Sequence, residues 1–285
     1  MLKISALFLL FWTFFGLNNS QIASEKTITI CHNVMPTSMA DFVNDTEFVK
    51  MHPKPINIVF KALGNEIKIG SPDGNDASAY FIKAKTKSTK WLFVYQEWWG
   101  LNDPIRNEAN KYYEDLDGKV NVLALDMYDG KSTTNPAEAG KLMGGANQER
   151  LENIIKSGIN YAGTNAKIAS VGWCFGGGLS LRSALLEGQQ AIGTVMYYGM
   201  PVDDIEKLKT LNTDVLGLFA TEQWINKEVI EAFVANMKKA DKKLTYKIFD
   251  AAHGFANPSN PKHDPEATNV AYKMTMDYLK GKFKV

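Results

Sequence analysis

Cys174 lies in a glycine-rich turn whose residue types suit a nucleophile. Residues 171–178 read VGWCFGGG, the G-x-S-x-G pattern of a strand–turn–helix elbow with cysteine in place of serine. Such a turn strains the backbone of the nucleophile, and Gly172 and Gly176 supply the room that its close neighbours need. The thiol would stand at a helix N-terminus, which favours a thiolate, and the backbone N–H of Phe175 could donate to an oxyanion. We interpret Cys174 as a catalytic nucleophile; the alternative is a buried cysteine in an ordinary turn.

A thiol nucleophile needs a base, and the chain has four histidines. His32 and His52 lie in the N-terminal arm, before the predicted sheet begins. His253 lies just past the last predicted strand, in the sequence DAAHGF at 250–255, from which an imidazole can reach the elbow. We therefore predict that His253 is the base, while His263, in a proline-rich loop, stays open as a substitute.

The third member of a triad is an acid. Triads on this type of fold run nucleophile, acid, histidine along the chain, so the acid should follow the strand predicted at 214–220. The first carboxylate there is Glu222, which would accept a hydrogen bond from the imidazole and fix its tautomer. A solvated loop glutamate is the alternative, and Asp214, at the other end of the strand, is a poorer candidate.

Strands and helices alternate along the chain with short connections. This order predicts an α/β fold with a mostly parallel central sheet and helices on both faces, which binds ligands at the carboxyl ends of its strands. The predicted strands are 66–69, 78–84, 91–96, 120–127, 167–172, 191–198, 214–220 and 244–249. The predicted helices are 38–51, 103–116, 135–161 with a break at 144–145, 177–186, 227–239 and a last helix from 264.

The N-terminus has the pattern of a secretory signal peptide. One basic residue precedes an apolar run at 4–17, which is shorter than the ~20 residues of a spanning helix. We expect a signal peptide at 1–23, an N-terminal extension at 24–60 and a hydrolase domain at 61–285. The protein would then be exported, either periplasmic or secreted; a retained membrane anchor is the alternative.

Charge and cysteine content narrow the class of protein. The net charge of +1 gives no indication of binding to nucleic acid or an anionic membrane. The two cysteines, Cys31 and Cys174, could form a disulfide in an exported protein, but the glycine-rich turn explains Cys174 better. A thiol-redox role would require both cysteines to meet. We expect no metal and no cofactor, and the oligomeric state is not predicted.

Three motifs together resemble the dienelactone hydrolase family over roughly residues 65–282. They are GWCFGG at 172–177, YQEWWGLN at 95–102 and DAAHGF at 250–255. The resemblance implies the α/β-hydrolase fold and a carboxymethylenebutenolidase-like hydrolase with a cysteine nucleophile. It also implies that Glu97 pairs with the resting thiol and accepts its proton when substrate enters. The backbone N–H groups of Trp98 and Phe175 would form the oxyanion hole.

The sequence departs from the family pattern around the substrate. The family acid is usually aspartate, whereas Glu222 stands here. Two family arginines that hold a substrate carboxylate would fall near Gly130 and at Asn257, and Lys131 is a weaker substitute for the first. Four aromatic residues either line an apolar pocket or pack in the core: Trp98, Trp99, Tyr128 and Trp224.

These observations predict an exported hydrolase that cleaves a small neutral or weakly polar ester or lactone. Cys174 would attack the carbonyl to form a covalent acyl-enzyme, and His253 would shuttle protons. The alternative is a non-catalytic protein of the same fold that binds a small ligand or a partner at the same pocket.

Overall fold

The computed structural model describes residues 38–285. The predicted signal peptide, Cys31 and His32 lie outside the described residues. Within the described part, no helix combines the length and apolarity needed to cross a membrane.

Eight strands and eight α-helices make up the described chain. The strands are β1 (Asn65–Ile69), β2 (Ala77–Ile82), β3 (Lys90–Tyr95), β4 (Asn121–Leu125), β5 (Lys167–Trp173), β6 (Ala191–Tyr197), β7 (Val215–Ala220) and β8 (Leu244–Phe249). The helices are α1 (Thr46–Met51), α2 (Asp103–Asp115), α3 (Pro136–Gly144), α4 (Gln148–Ala162), α5 (Phe175–Glu187), α6 (Ile205–Lys209), α7 (Lys227–Lys239) and α8 (Pro265–Phe283).

All eight strands form one sheet in the order β1-β2-β4-β3-β5-β6-β7-β8. The pairs β1–β2 and β2–β4 are antiparallel, and the other five pairs are parallel. Strand β5 lies near the middle of the sheet, and every residue of it after Lys167 is buried, as expected where helices cover both faces. The predicted α/β fold with a mostly parallel sheet is confirmed.

Polar caps set where the helices begin. The side chain of Asn102 accepts the N–H of Ile105 at the start of α2, and the side chain of Asp264 accepts the N–H of Ala267 at the start of α8. The predicted break between α3 and α4 is present because Asn147 caps a new helix. Helix α6, which the sequence did not predict, has five residues and is too short to show a helical period.

The helix predicted at 38–51 is two shorter pieces. A 3₁₀ helix at Met39–Phe42 is followed by α1, because the backbone of Asp45 is extended (φ −80°, ψ 114°). Its carboxylate accepts hydrogen bonds from the N–H groups of Glu47 and Phe48, so it starts a new helix rather than continuing the old one. Both pieces bury apolar side chains, Met39 and Phe48, against the rest of the protein.

Candidate active site

Cys174 occupies a sharp turn between β5 and α5. Its backbone has φ 55° and ψ −118°, which a non-glycine residue rarely adopts. A Cβ on Gly172 would lie 2.1 Å from the carbonyl oxygen of Gly176, and one on Gly176 would lie 2.4 Å from the carbonyl oxygen of Gln96. These two glycines are therefore required by close backbone approach, and the turn has the geometry of a nucleophile elbow.

The thiol of Cys174 is enclosed by protein. The residue is 1% exposed, at the N-terminus of the 13-residue helix α5. Burial raises the pKa of the thiol and outweighs the opposing attraction of His253. The resting sulfur is therefore held as a thiol.

His253 and Glu222 form a buried pair beside the elbow. Nδ1 of His253 lies 2.8 Å from Oε1 of Glu222, and the two side chains are 1% and 2% exposed. The loops that carry them are tied together, since the N–H of Thr221 donates to the carbonyl oxygens of Phe249 and Ala251 at 3.0 and 3.2 Å. The carboxylate fixes the Nδ1–H tautomer, which leaves Nε2 to face the sulfur of Cys174.

The protonation of His253 follows from these neighbours. Burial lowers the pKa of its imidazole, whereas the carboxylate of Glu222 raises it, as does the sulfur of Cys174 when it is ionised. The pKa of His253 is therefore held well above its usual value, and an imidazolium beside the sulfur is favoured.

Glu97 lies in the same buried region, just past the end of β3. Burial raises the pKa of its carboxyl to about 7, against the opposing effects of Asn257 and His253. Nδ2 of Asn257 donates to Oε2 at 2.5 Å, and the hydroxyl of Tyr198 donates to Oε1 at 3.4 Å. Asn257, which stands where the resembled family has an arginine, thus holds this carboxylate in place.

The two predicted oxyanion donors lie at the same edge of the sheet. Strands β3 and β5 are parallel neighbours, with Tyr95 beside Gly172, so Trp98 and Phe175 each come three residues past this pair. The backbone N–H of Phe175 also hydrogen-bonds the sulfur of Cys174, which lowers the pKa of the thiol slightly against burial. The register therefore brings Trp98 to the edge of the sheet at which Cys174 and Phe175 lie.

The predicted pocket residues differ in burial. Trp98 is fully buried, and its ring centroid lies 5.0 Å from that of Trp99. Tyr128 is buried and stacks on Phe175, with ring centroids 5.7 Å apart. Lys131 is exposed and lines a surface cavity near α3 and α4 together with Tyr128. Tyr128 therefore lies between the elbow and the surface cavity that Lys131 also lines.

His52, which the sequence places in the N-terminal arm, lies against Cys174. Its Nε2 lies 3.7 Å from the sulfur of Cys174, and its Nδ1 lies 2.7 Å from the carbonyl oxygen of Phe48. The ring is 5% exposed, with centroid distances of 4.3 Å to Trp98 and 4.8 Å to His253. Burial lowers the pKa of His52 well below its usual value, so this imidazole is neutral. Among the described residues, His263, the alternative candidate for the base, forms no hydrogen bond with Cys174 or Glu222.

Residues 38–53, which we call the covering segment, bring His52 to the sulfur. Phe48 is fully buried and packs edge-on against Trp98 and Trp224, with ring centroids 5.8 and 5.3 Å away. Nε1 of Trp224 also donates to Oδ2 of Asp45 at 2.8 Å. The segment therefore closes the site over the nucleophile.

The fold and the elbow define a hydrolase of the α/β-hydrolase class. A model of the dienelactone hydrolase family matches residues 77–283, and the chain belongs to that family. Carboxymethylenebutenolidase 1 of Cupriavidus pinatubonensis is 24% identical over 231 residues, which cover 76% of this chain and 97% of that protein. Protein usf of Aquifex pyrophilus is 24% identical over 216 residues, covering 70% of this chain and 93% of that protein.

Solved structures share the fold. A dienelactone hydrolase-like promiscuous phosphotriesterase from metagenomic libraries superposes with a TM-score of 0.66 at 18% identity, covering 77% of this chain and 98% of its own. A dienelactone hydrolase from Anabaena variabilis gives a TM-score of 0.56 at 14% identity, covering 77% and 98%. Together with the family match, these relatives confirm the expectation of a hydrolase acting on ester or lactone bonds.

Proposed function

We propose that the protein hydrolyses small neutral esters or lactones through a Cys174–His253–Glu222 triad. The observation that carries this proposal is the buried hydrogen bond of 2.8 Å between His253 and Glu222, beside a cysteine held in an elbow turn. A thiol nucleophile, an oriented imidazole and a carboxylate partner are the parts that acyl transfer needs.

Acylation begins when Glu97 accepts the proton of the thiol. The thiolate attacks the carbonyl carbon, and the oxyanion is held by the backbone N–H groups of Trp98 and Phe175. As the tetrahedral intermediate collapses, the C–O bond to the leaving group breaks and the imidazolium of His253 gives its proton to the departing alkoxide. Cys174 is left as a thioester, and with a lactone the alcohol stays attached to the acyl group.

Deacylation uses the now neutral imidazole as a base. His253 takes a proton from water, whose oxygen attacks the thioester carbonyl. The C–S bond breaks, the carboxylic acid leaves and the thiolate recovers its proton from Glu97. Every proton returns to its starting group, so the cycle needs neither a metal nor a redox partner.

The missing arginines guide the choice of substrate. Gly130 is exposed, and the amide of Asn257 is committed to Glu97 by its hydrogen bond. Lys131, the remaining candidate for a substrate carboxylate, is exposed to solvent in a surface cavity. A neutral acyl group placed against Trp98 fits these surroundings better than an anionic one.

The test is turnover of a panel of p-nitrophenyl esters and simple lactones. Cys174→Ala should abolish turnover, while Cys31→Ala, the matched change at the other cysteine, should leave it intact. Mass spectrometry of the enzyme mixed with a slow ester should show one acyl group, absent in Cys174→Ala. Wild-type-like turnover by Cys174→Ala would overturn the proposal.

A ligand-binding role is the second candidate, and the closed covering segment is the observation that favours it. Cys174 is 1% exposed beneath this segment, as in a pocket that encloses a ligand without processing it. Saturable binding of an ester or lactone, with no turnover anywhere in the panel, would favour this role over catalysis.

Export is a separate part of the proposal. A basic start and an apolar run at 4–17 support a signal peptide within residues 1–23. Expression of the full chain with its N-terminus intact should give a protein outside the cytoplasm, shortened near residue 23 by intact-mass measurement. An uncleaved cytoplasmic product would contradict export.

A further inference from the structure

Three potential metal ligands meet at the nucleophile. One ring nitrogen of His52, one of His253 and the sulfur of Cys174 all lie within 4.8 Å of one another, and all three residues are buried. The catalytic cycle above uses Cys174 and His253 but gives no task to His52. The covering segment nevertheless places this third ligand directly against the reacting sulfur.

Both imidazoles are oriented as metal ligands usually are. Nδ1 of His52 faces the carbonyl oxygen of Phe48, which can only accept a hydrogen bond, so Nε2 of the neutral ring carries the lone pair. Nδ1 of His253 is held in the same way by Glu222. A carbonyl or carboxylate behind each imidazole is the usual outer partner of a metal-bound histidine, because it fixes the ring and raises its basicity.

A second observation points to a ligand between these atoms. Nε2 of His253 is buried and faces the sulfur of Cys174, but the contact lacks the geometry of a full hydrogen bond, and no other described residue is its partner. A buried ring nitrogen with so poor a contact is costly, and a bound cation would take its lone pair together with that of Nε2 of His52.

Distance and charge both suit a zinc-like cation. Zn–N and Zn–S bonds of about 2.0–2.3 Å place tetrahedral ligands about 3.3–3.7 Å apart. The separation of 3.7 Å between Nε2 of His52 and the sulfur of Cys174 already matches. All three ligand atoms lie within 4.8 Å of one another, so a shift of about 1 Å would bring even the widest pair to a bonding separation. The thiolate of Cys174 and the carboxylate of Glu222 carry two negative charges, which balance a divalent cation in a buried site.

We propose that His52, Cys174 and His253 form a site for a zinc-class divalent cation that holds the enzyme inactive. On binding, the cation displaces the proton of the thiol and any proton on Nε2 of His253, and both go to solvent. The nucleophile and the base are then occupied, and the bond to His52 fastens the covering segment over the site. The inhibitory part rests on the proposed hydrolase function, whereas the metal site itself does not.

The experiment uses the full chain in a Cys31→Ala background, so that Cys174 is the sole thiol. After treatment with a chelator, Zn²⁺ is titrated against a chromophoric competitor, and activity is followed in parallel. One equivalent should bind and abolish turnover, and a chelator should restore it. Co²⁺ should give a thiolate-to-metal charge-transfer absorption that disappears in Cys174→Ala, a readout independent of activity.

Variants identify the ligands. His52→Ala should weaken Zn²⁺ binding at least about 100-fold, more than the loss usually seen on removal of an outer partner. His263→Ala, the matched histidine outside the cluster, should bind as the parent does. Cys174→Ala should also lose tight binding, and an unchanged circular dichroism spectrum and unfolding transition of His52→Ala should show that misfolding is not the cause of its weaker binding.

The two proposals can fail separately. Turnover that is insensitive to Zn²⁺, or that Zn²⁺ inhibits equally in His52→Ala, would overturn the metal site and leave the hydrolase intact. Stoichiometric binding that depends on His52, in a protein that hydrolyses no ester or lactone, would support the metal site and overturn the proposed function.

Discussion

Replacing Phe48 with alanine should open the covering segment and expose Cys174. Phe48 is fully buried, and its ring centroid lies 4.4 Å from His52, 5.8 Å from Trp98 and 5.3 Å from Trp224. Cys174 lies beneath these rings, so a reagent can reach the sulfur only when the segment moves away. Phe48 is the largest fully buried side chain in the segment and should contribute most to holding it closed.

The size of the effect follows from the burial of this ring. Truncating a buried phenylalanine to alanine typically costs about 3–5 kcal/mol, through lost apolar burial and the cavity that remains. Opening would already separate Phe48 from its aromatic neighbours, so this cost falls on the closed state and not on the open one. A loss of ~3 kcal/mol raises the open population by more than about 100-fold, since about 1.36 kcal/mol corresponds to a factor of ten.

The assay is the rate of alkylation of Cys174 by iodoacetamide under native conditions, in a Cys31→Ala background. The rate should rise in the order wild type, Phe48→Leu, Phe48→Ala. The matched control is Phe233→Ala, an equally buried phenylalanine on α7, which should destabilise the fold without accelerating alkylation comparably. Equal rates in wild type and Phe48→Ala, or equal acceleration in the control, would refute the role of the segment.

Three carboxylates give the remaining predictions. Glu222→Gln should lower kcat/KM about 100- to 10,000-fold, because the amide no longer favours the imidazolium of His253; an unchanged value would remove Glu222 from the triad. Glu97→Gln should lower activity. It should also remove the rise in rate around pH 7 that ionisation of this carboxyl is expected to produce in the wild type. If the variant still showed this rise, a group other than Glu97 would be responsible for it. Burial raises the pKa of Glu187 to about 8, against a hydrogen bond from Ser183, so the folded protein prefers the protonated form. Its contribution to stability is present below pH 4.5 and is lost as the pH rises through 8, by an amount on the order of 5 kcal/mol. Denaturant unfolding of Glu187→Gln should lack this loss, and parallel pH curves for both proteins would contradict the reasoning.

Much of the fold could be predicted because its signals are local. The strand predicted at 244–249 and the helix predicted at 227–239 have those bounds in β8 and α7. Caps such as Asn102 and Asp264 mark helix starts within a few residues of sequence. The prediction of a single helix at 38–51 was wrong. The spacing of apolar residues did not show that Asp45 begins a new helix.

The candidate site was only partly predictable, and the reason is sequence separation. Cys174, Glu222 and His253 each follow a strand that is visible in the local sequence. Their order along the chain therefore predicted them as nucleophile, acid and base. His52 is 122 residues from Cys174, and no local period connects the two. The apolar side of the segment around Phe48 was visible in the sequence, but the surface that it covers could only be found in three dimensions.

Electrostatics within the closed site constrain the substrate in one direction. Two carboxylates, Glu97 and Glu222, lie in the buried region, and the imidazolium of His253 is already paired with Glu222. Lys262, a cation beside the covering segment, is exposed and contacts the segment from outside. An anionic acyl group would add a third negative charge to this region, and burying a charge without a partner is strongly unfavourable. A neutral group would avoid this penalty and could contact Trp98, so the electrostatics support the proposal of a neutral ester or lactone over a carboxylate-bearing one.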